Sequence, residues 1–176
     1  MISQFPNEIG DEWVYLFTDS TCTYCPIKTD TVIVRVVGDT IINGSRQLRI
    51  WRYLFPDTVL SNFVEIKDDT VRIYSDLSAL WLTEKYVFPL ETAKGWKGDF
   101  ATDTSWVTSI EPVEVPAGRF EKGVVIEERW GAFNDYGFVT TCFVPDVGIV
   151  KKRFENIVLG GRTLNRWELI RYKVRQ

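Results

Sequence analysis

Apolar and polar residues alternate along almost the whole chain, and a period of two is the pattern of β-strands. The alternating runs are rich in β-branched and aromatic residues, which favour strands. They recur at spacings of about ten residues, which is typical of antiparallel all-β domains. We predict ten strands from this pattern, at residues 12–17, 31–37, 46–55, 60–66, 70–75, 106–115, 119–130, 137–144, 148–159 and 163–174.

The connections between these runs are short and contain turn residues. Asn43-Gly44 and Gly160-Gly161 suit two-residue hairpin loops, because both residue types tolerate positive φ. Only residues 76–84, with Ser75 or Asp76 as a cap, have the composition of a helical turn or two. We therefore predict an all-β fold: a single antiparallel domain of about ten strands, forming a curled sheet, barrel or sandwich, with at most one short helix.

The length of 176 residues suits one domain, which we predict to span residues 1–176. A short sequence pattern occurs twice, which is consistent with two related halves, at about 1–85 and 86–176. An aromatic residue, a proline, a glycine and a tryptophan follow one another at two places, Phe5-Pro6 with Gly10 and Trp13, and Phe88-Pro89 with Gly95-Trp96. A duplication would explain this repeated pattern. Coincidence would also explain it, because Pro and Gly are common before strands.

Histidine is absent, which removes several kinds of chemistry. Ser-His-Asp and Cys-His catalysis are excluded, and the commonest zinc ligand is missing. Glu127 and Glu128 are adjacent on a predicted strand, so they point to opposite faces and cannot flank one glycosidic bond. We therefore predict that the protein is not an enzyme and has no cofactor or metal site, and we keep a carboxylate-dependent hydrolase as a third interpretation.

The net charge of −3 is unevenly distributed. From Lys151 to the C-terminus there are eight Lys or Arg residues against two Asp or Glu residues. We interpret this stretch as a solvated strand face, and we predict no nucleic-acid partner because no recognised binding motif accompanies the charge. No apolar run approaches the length of about 20 residues that spans a bilayer.

Seven tryptophans are the other notable feature of the composition. Five of them lie in predicted strands, where large aromatic side chains usually fill the core. Trp81 and Trp96 lie within residues 77–99, where the strand pattern is interrupted. We name these two as candidate ligand-binding residues at the rim of a site, with core packing as the simpler interpretation of each.

Three stretches in the second half resemble the TapB-like extracytoplasmic β domains of bacteria, a group of unassigned function that often occurs as lipoproteins. They are "YVFPLETAKGWKG" (residues 86–98), "VEVPAGRFEKGVVI" (residues 113–126) and "FVPDVGIVKKRF" (residues 143–154). Pro116, Gly118 and Phe120 match the family pattern well, whereas the last stretch departs from it. The resemblance implies an exported protein in the periplasm or at the cell surface, with any signal segment removed and a lipid anchor upstream of this chain as its contact with the membrane.

Cys22 and Cys25 form a C-x-x-C pair in a loop before a predicted strand. A reactive dithiol needs this pair at a helix N-terminus, and a zinc site needs two further ligands, so we do not favour either. An oxidising compartment would permit a Cys22–Cys25 disulfide that staples the loop, which is the interpretation we prefer. Cys142 is then expected to be a buried apolar residue in a strand.

We therefore expect a non-catalytic, exported β domain of the cell envelope that binds a ligand or an envelope protein. The alternative is a purely structural or protein-interaction module of an envelope assembly. A ligand-binding protein should have a concave site inside its curled sheet, whereas the alternative should have a filled interior.

Overall fold

The computed structural model describes residues 4–20, 26–78, 80–98, 104–132, 135–158 and 161–175. In these ranges the chain forms twelve β-strands and no helix. The strands are β1 (Glu12–Asp19), β2 (Lys28–Ile42), β3 (Arg46–Leu54), β4 (Val59–Lys67), β5 (Thr70–Asp76), β6 (Trp81–Val87), β7 (Gly95–Lys97), β8 (Thr104–Val115), β9 (Gly118–Ala132), β10 (Asp135–Val144), β11 (Gly148–Val158) and β12 (Gly161–Lys173).

All twelve strands belong to one antiparallel sheet that curls into a nearly closed barrel. The order is β6-β5-β4-β3-β2-β1-β12-β11-β10-β9-β8-β7, so each strand lies beside its neighbours in sequence and β1 pairs with β12. β6 and β7 are the two edges, and they meet at a seam. There, Trp96 Nε1 donates to the Lys85 carbonyl at 2.9 Å, and Lys85 Nζ donates to the Lys97 carbonyl at 3.0 Å.

The predicted class is confirmed, and each of the ten predicted strands overlaps one in the structure. The two further strands are β6 and β7. The helical interpretation of residues 76–84 is wrong, because the described part of this segment is a turn followed by β6. Asp76 Oδ1 accepts from the backbone N–H of Ser78 at 2.7 Å, and Leu80 has a φ of 47°, a value that ends a right-handed helix.

The hairpin predicted at Asn43-Gly44 is present between β2 and β3. The loop has three residues, 43–45, rather than the predicted two. Asn43 and Gly44 have positive φ, 51° and 72°, and form the turn in which the backbone N–H of Ser45 donates to the Ile42 carbonyl at 3.3 Å. Such short loops keep the strands antiparallel and give the sheet its up-and-down course. Among the described residues no helix could cross a bilayer.

One end of the barrel is closed by the N-terminal segment, residues 4–10, and we call it the plugged end. Phe5 is buried there and stacks between Trp51 and Phe143, with ring centroids 5.7 and 5.9 Å away. The Asn7 side-chain oxygen accepts from Trp51 Nε1 at 2.7 Å. The segment is fixed further by Asp11, which is fully buried and accepts from the backbone N–H of Arg175 at 2.8 Å.

Candidate functional site

A cavity of about 220 Å³ lies inside the barrel, between the plug and the opposite end. Its wall is largely aromatic and comes from neighbouring strands: Tyr15 of β1, Trp51 and Tyr53 of β3, Phe55 just after β3, and Trp167 of β12. Alternate residues of a strand share a face, which places Trp51 and Tyr53 together on the inner side. The alternation of aromatic residues along β3 thus builds the wall.

Trp167 is the centre of the aromatic wall. Its ring lies 4.7 Å from that of Phe17 and 5.8 Å from those of Tyr15 and Phe55, measured between centroids. The contacts with Tyr15 and Phe55 are edge-to-face, the geometry that the ring quadrupoles favour. Interlocked rings of this kind form a rigid surface on which a flat or apolar group can pack.

Three aliphatic side chains complete the apolar lining. Val34 of β2 is buried, and Ile149 lies in β11. Leu60 of β4 is 52% exposed although it lines the cavity. The cavity therefore reaches solvent beside Leu60, away from the plug.

The polar part of the cavity is an ion pair between opposite walls. Lys152 Nζ of β11 lies 2.6 Å from Glu84 Oε1 of β6, and their side chains are only 21% and 16% exposed. Six strands separate β6 from β11 in the sheet order, so the pair joins two walls across the lumen. Tyr86 donates its hydroxyl hydrogen to Glu84 Oε2. Both carboxylate oxygens of Glu84 therefore have partners.

Two tyrosine hydroxyl groups lie in the same cavity. Tyr15 donates to the Ile149 carbonyl at 2.8 Å. The Tyr53 hydroxyl is hydrogen-bonded to the side chain of Asn62, which also lines the cavity. Burial raises the pKa of Tyr15 and of Tyr53 well above the ordinary value, and the charge of Glu84 raises both further. Both phenols therefore remain neutral donors at physiological pH.

The two tryptophans predicted as rim residues do not line this cavity. Trp81 begins β6 and is 58% exposed. Trp96, in β7, is 8% exposed and packs in the core at the seam. Of the described residues within 77–99, Glu84 is the one that lines the cavity.

Cys22 and Cys25 lie outside the described residues, so their disulfide stays a prediction. The strand ends on either side of them, Asp19 and Lys28, pair at the end of the barrel opposite the plug. Cys142 is a free, partly buried thiol in β10, and burial raises its pKa, as expected for an unreactive cysteine. Within the described part of the chain no acidic or cysteine cluster is arranged to hold a metal ion.

Several basic residues of the C-terminal stretch form ion pairs. On the outer side of the barrel, Lys151 pairs with Glu168 at 2.9 Å. Arg153 and Arg162 both contact Glu155, whose side chain is 5% exposed. Lys152 points inward instead and pairs with Glu84. Four of the eight basic residues thus pair with acidic residues, and Lys152 departs from the predicted solvated strand face because it points into the cavity.

The sequence analysis assigned Trp51 and Trp167 to the core, and both pack there, but it missed that they also line a cavity. The period of two shows that Trp51 shares a face with Tyr53, and Trp167 with Asn165. It does not show whether a cavity remains between the side chains on that face. One signal was available: Trp51, Tyr53 and Phe55 place three aromatic residues in succession on one face of a strand.

No protein-family model matches the chain, and no curated protein does. Two solved structures share its fold. A "putative lipoprotein" from Parabacteroides distasonis has a TM-score of 0.57 and 14% identity, over 96% of this chain and 97% of its own. A "putative exported protein with YmcC-like fold" from Bacteroides fragilis has a TM-score of 0.52 and 15% identity, over 98% of this chain and 100% of its own. The likeness extends over nearly the whole length and shows the fold; it does not single out the TapB-like group.

Proposed function

We propose that this protein is an exported, non-catalytic β-barrel of the cell envelope that binds a small ligand in its aromatic cavity. The observation that carries the proposal is the cavity itself, about 220 Å³ of space lined by five aromatic rings and reaching solvent beside Leu60. Apolar, aromatic-lined concavities with a few polar groups are the usual form of small-molecule sites. A purely structural module would fill this space with side chains.

The location in the envelope rests on two supports. The two structural neighbours are described as a putative lipoprotein and a putative exported protein, and they share this fold. Pro116 and Ala117 form the turn between β8 and β9, and Gly118 begins β9; this sequence is the part that best resembles the TapB-like domains. Membership of that group in particular is part of the proposal, as is the lipid anchor upstream of this chain.

The absence of catalysis is supported by the composition of the cavity. Glu84 is the single carboxylate lining it among the described residues, whereas glycoside hydrolysis commonly uses two. Both oxygens of Glu84 already accept from Lys152 and Tyr86. A carboxylate held in this way is suited to orienting a ligand.

Isothermal titration calorimetry with the neutral probe 2-naphthalenemethanol tests binding in the cavity. We expect the wild-type protein to bind the probe and Val34→Phe to bind it at least tenfold more weakly, because the larger side chain occupies the space beside Tyr53, the cross-strand neighbour of Val34. Val37→Phe is the matched control on the same strand, where the side chain is 38% exposed, and it should bind as the wild type does.

Native mass spectrometry of protein from an exporting host complements the titration, since a natural ligand adds its own mass. Equal probe affinity of the Val34→Phe variant and the wild type would place any binding outside the cavity. No probe binding, together with no added mass, would contradict the ligand-binding proposal and favour the structural module.

A further inference from the structure

The polar side chains of the cavity differ in how many of their hydrogen-bond donors and acceptors already have partners. Lys152 has three N–H donors, and the described residues give it one partner, Glu84. Tyr53 also presents its neutral hydroxyl group to the cavity, beside the Asn62 side chain. By contrast, Glu84 accepts from Lys152 and Tyr86, and Tyr15 donates to a backbone carbonyl. Lys152 therefore offers two unused charged donors to a ligand, whereas each oxygen of Glu84 already accepts a hydrogen bond.

An ammonium group in an apolar enclosure is a strong site for an acceptor. Hydrogen bonds from a charged donor are shorter and roughly twice as strong as those between neutral groups. The low dielectric of a cavity lined by five aromatic rings strengthens them further. A cationic ligand should bind more weakly, because it would have to displace Lys152 from Glu84.

We propose that the ligand is a small organic anion with a flat apolar body and one carboxylate, which Lys152 and Tyr53 hold while the body packs against Trp51 and Trp167. This inference rests on the proposed function and specifies the ligand class of the same cavity. The volume of about 220 Å³ admits one or two fused rings, since a cavity of about 150 Å³ holds benzene. In this arrangement Glu84 competes with the ligand for Lys152 and limits its affinity.

Three naphthalene probes that differ in charge test the sign of the recognition. They are 2-naphthoate, 2-naphthalenemethanol and 2-naphthylmethylammonium, and each is titrated by calorimetry into the full chain. We expect the wild-type protein to bind the anion at least tenfold more tightly than the cation, because a hydrogen bond to a charged group is worth about that factor or more.

Two variants should shift the affinities in opposite directions. Glu84→Gln frees Lys152 and removes a repulsive charge, so it should raise the affinity for 2-naphthoate about tenfold and lower that for the cation. Lys152→Met should lower the affinity for 2-naphthoate by at least tenfold and leave that for the neutral probe within about threefold. Such factors correspond to the usual worth of one charge-assisted hydrogen bond.

Lys151→Met is the matched control. Lys151 is the next residue on the same strand and pairs with Glu168 at 2.9 Å on the outer side of the barrel. Its replacement should leave all three affinities unchanged. A double variant, Glu84→Gln with Lys152→Met, covers the case in which a single variant fails to fold, because it removes both charges of the pair together. It should bind the neutral probe and lose the preference for the anion.

The outcomes separate this inference from the proposed function. Equal binding of all three probes, unaffected by the variants, would overturn the anion assignment and leave the cavity as a binding site. Tighter binding of the cation, weakened by Glu84→Gln, would reverse the assignment. Absence of binding by every probe would remove both proposals.

Discussion

At the scale of single residues, the two tryptophans proposed from the sequence have different environments. Trp81 is 58% exposed, whereas Trp96 is 8% exposed and donates to the Lys85 carbonyl. Trp96→Ala should lower the free energy of unfolding by about 3–5 kcal/mol, since it removes a buried aromatic ring. Trp81→Ala should change it by less than about 1 kcal/mol. Urea denaturation followed by circular dichroism measures both values.

A third variant separates packing from hydrogen bonding at the same position. Trp96→Phe keeps an aromatic ring and loses the Nε1 donor, so its cost should be smaller, about 1–3 kcal/mol. If Trp96→Ala were as stable as the wild type, the seam would not depend on this side chain, and a ligand-binding role for Trp96 would regain support.

The sequence could reveal the faces that residues occupy but not their partners across the barrel. Lys152 was counted within a basic stretch, and Glu84 was placed in a doubtful helical segment. They meet because the sheet closes and brings β6 opposite β11. No local pattern encodes a contact between residues 68 positions apart. The ten strands were predictable because alternation is a local property of the chain.

At the scale of elements, β6 and β7 were the strands that the sequence concealed. The segment that leads into β6 contains Leu and Ala residues, which favour helices, and β7 has only three residues. Tertiary pairing overrides that local preference, since β6 is aligned along β5 from Thr70 to Asp76. Short or atypical strands are therefore found at the edges, where pairing on one side suffices.

The seam between these two strands should be the least protected part of the barrel. β7 pairs with β8 through three residue pairs, whereas β1 pairs with β2 through eight. In the described residues, side-chain donors join β6 to β7 and no backbone ladder does. We expect the amides of residues 95–97 to exchange with deuterium at least about tenfold faster than those of residues 13–17, because small local openings expose them.

Hydrogen–deuterium exchange with mass spectrometry tests this expectation, and Trp96→Phe should increase exchange in β6 because it removes one of the two bonds. Peptides of β10, which has a full neighbour on each side, are the internal reference. Equal protection of the seam and of β1 would show that the barrel is closed more tightly than two side-chain bonds allow.

At the scale of the whole molecule, the barrel has one end closed by its own N-terminal segment and a cavity toward the other. Phe5 contacts Trp51, which also lines the cavity. The plug therefore supports the floor of the site as well as the core. This arrangement explains how a chain of 176 residues can keep internal space and remain stable: close packing is concentrated at the plugged end.

The same arrangement buries several phenols, and this should make the fold sensitive to alkali. Burial raises the pKa of Tyr15, Tyr53 and Tyr86 in the folded protein, whereas in the unfolded chain each ionises near the ordinary value of about 10. Below pH 10 the phenols are neutral in both states and stability is unaffected. Above it, the unfolded chain releases protons that the folded protein retains, so the free energy of unfolding falls as pH rises.

The slope approaches about 1.4 kcal/mol per pH unit for each such tyrosine until its folded pKa is reached. Urea denaturation at several pH values between 8 and 11.5 measures it, and tyrosinate absorbance reports ionisation in the folded state. Tyr53→Phe should make the slope shallower by up to about 1.4 kcal/mol per pH unit, the contribution of one tyrosine, because phenylalanine cannot ionise. Tyr136→Phe is the control, since that side chain is 41% exposed. Folded protein whose tyrosines all ionise near pH 10 would show that water reaches the cavity phenols freely, and it would weaken the case for a dry, ligand-sized site.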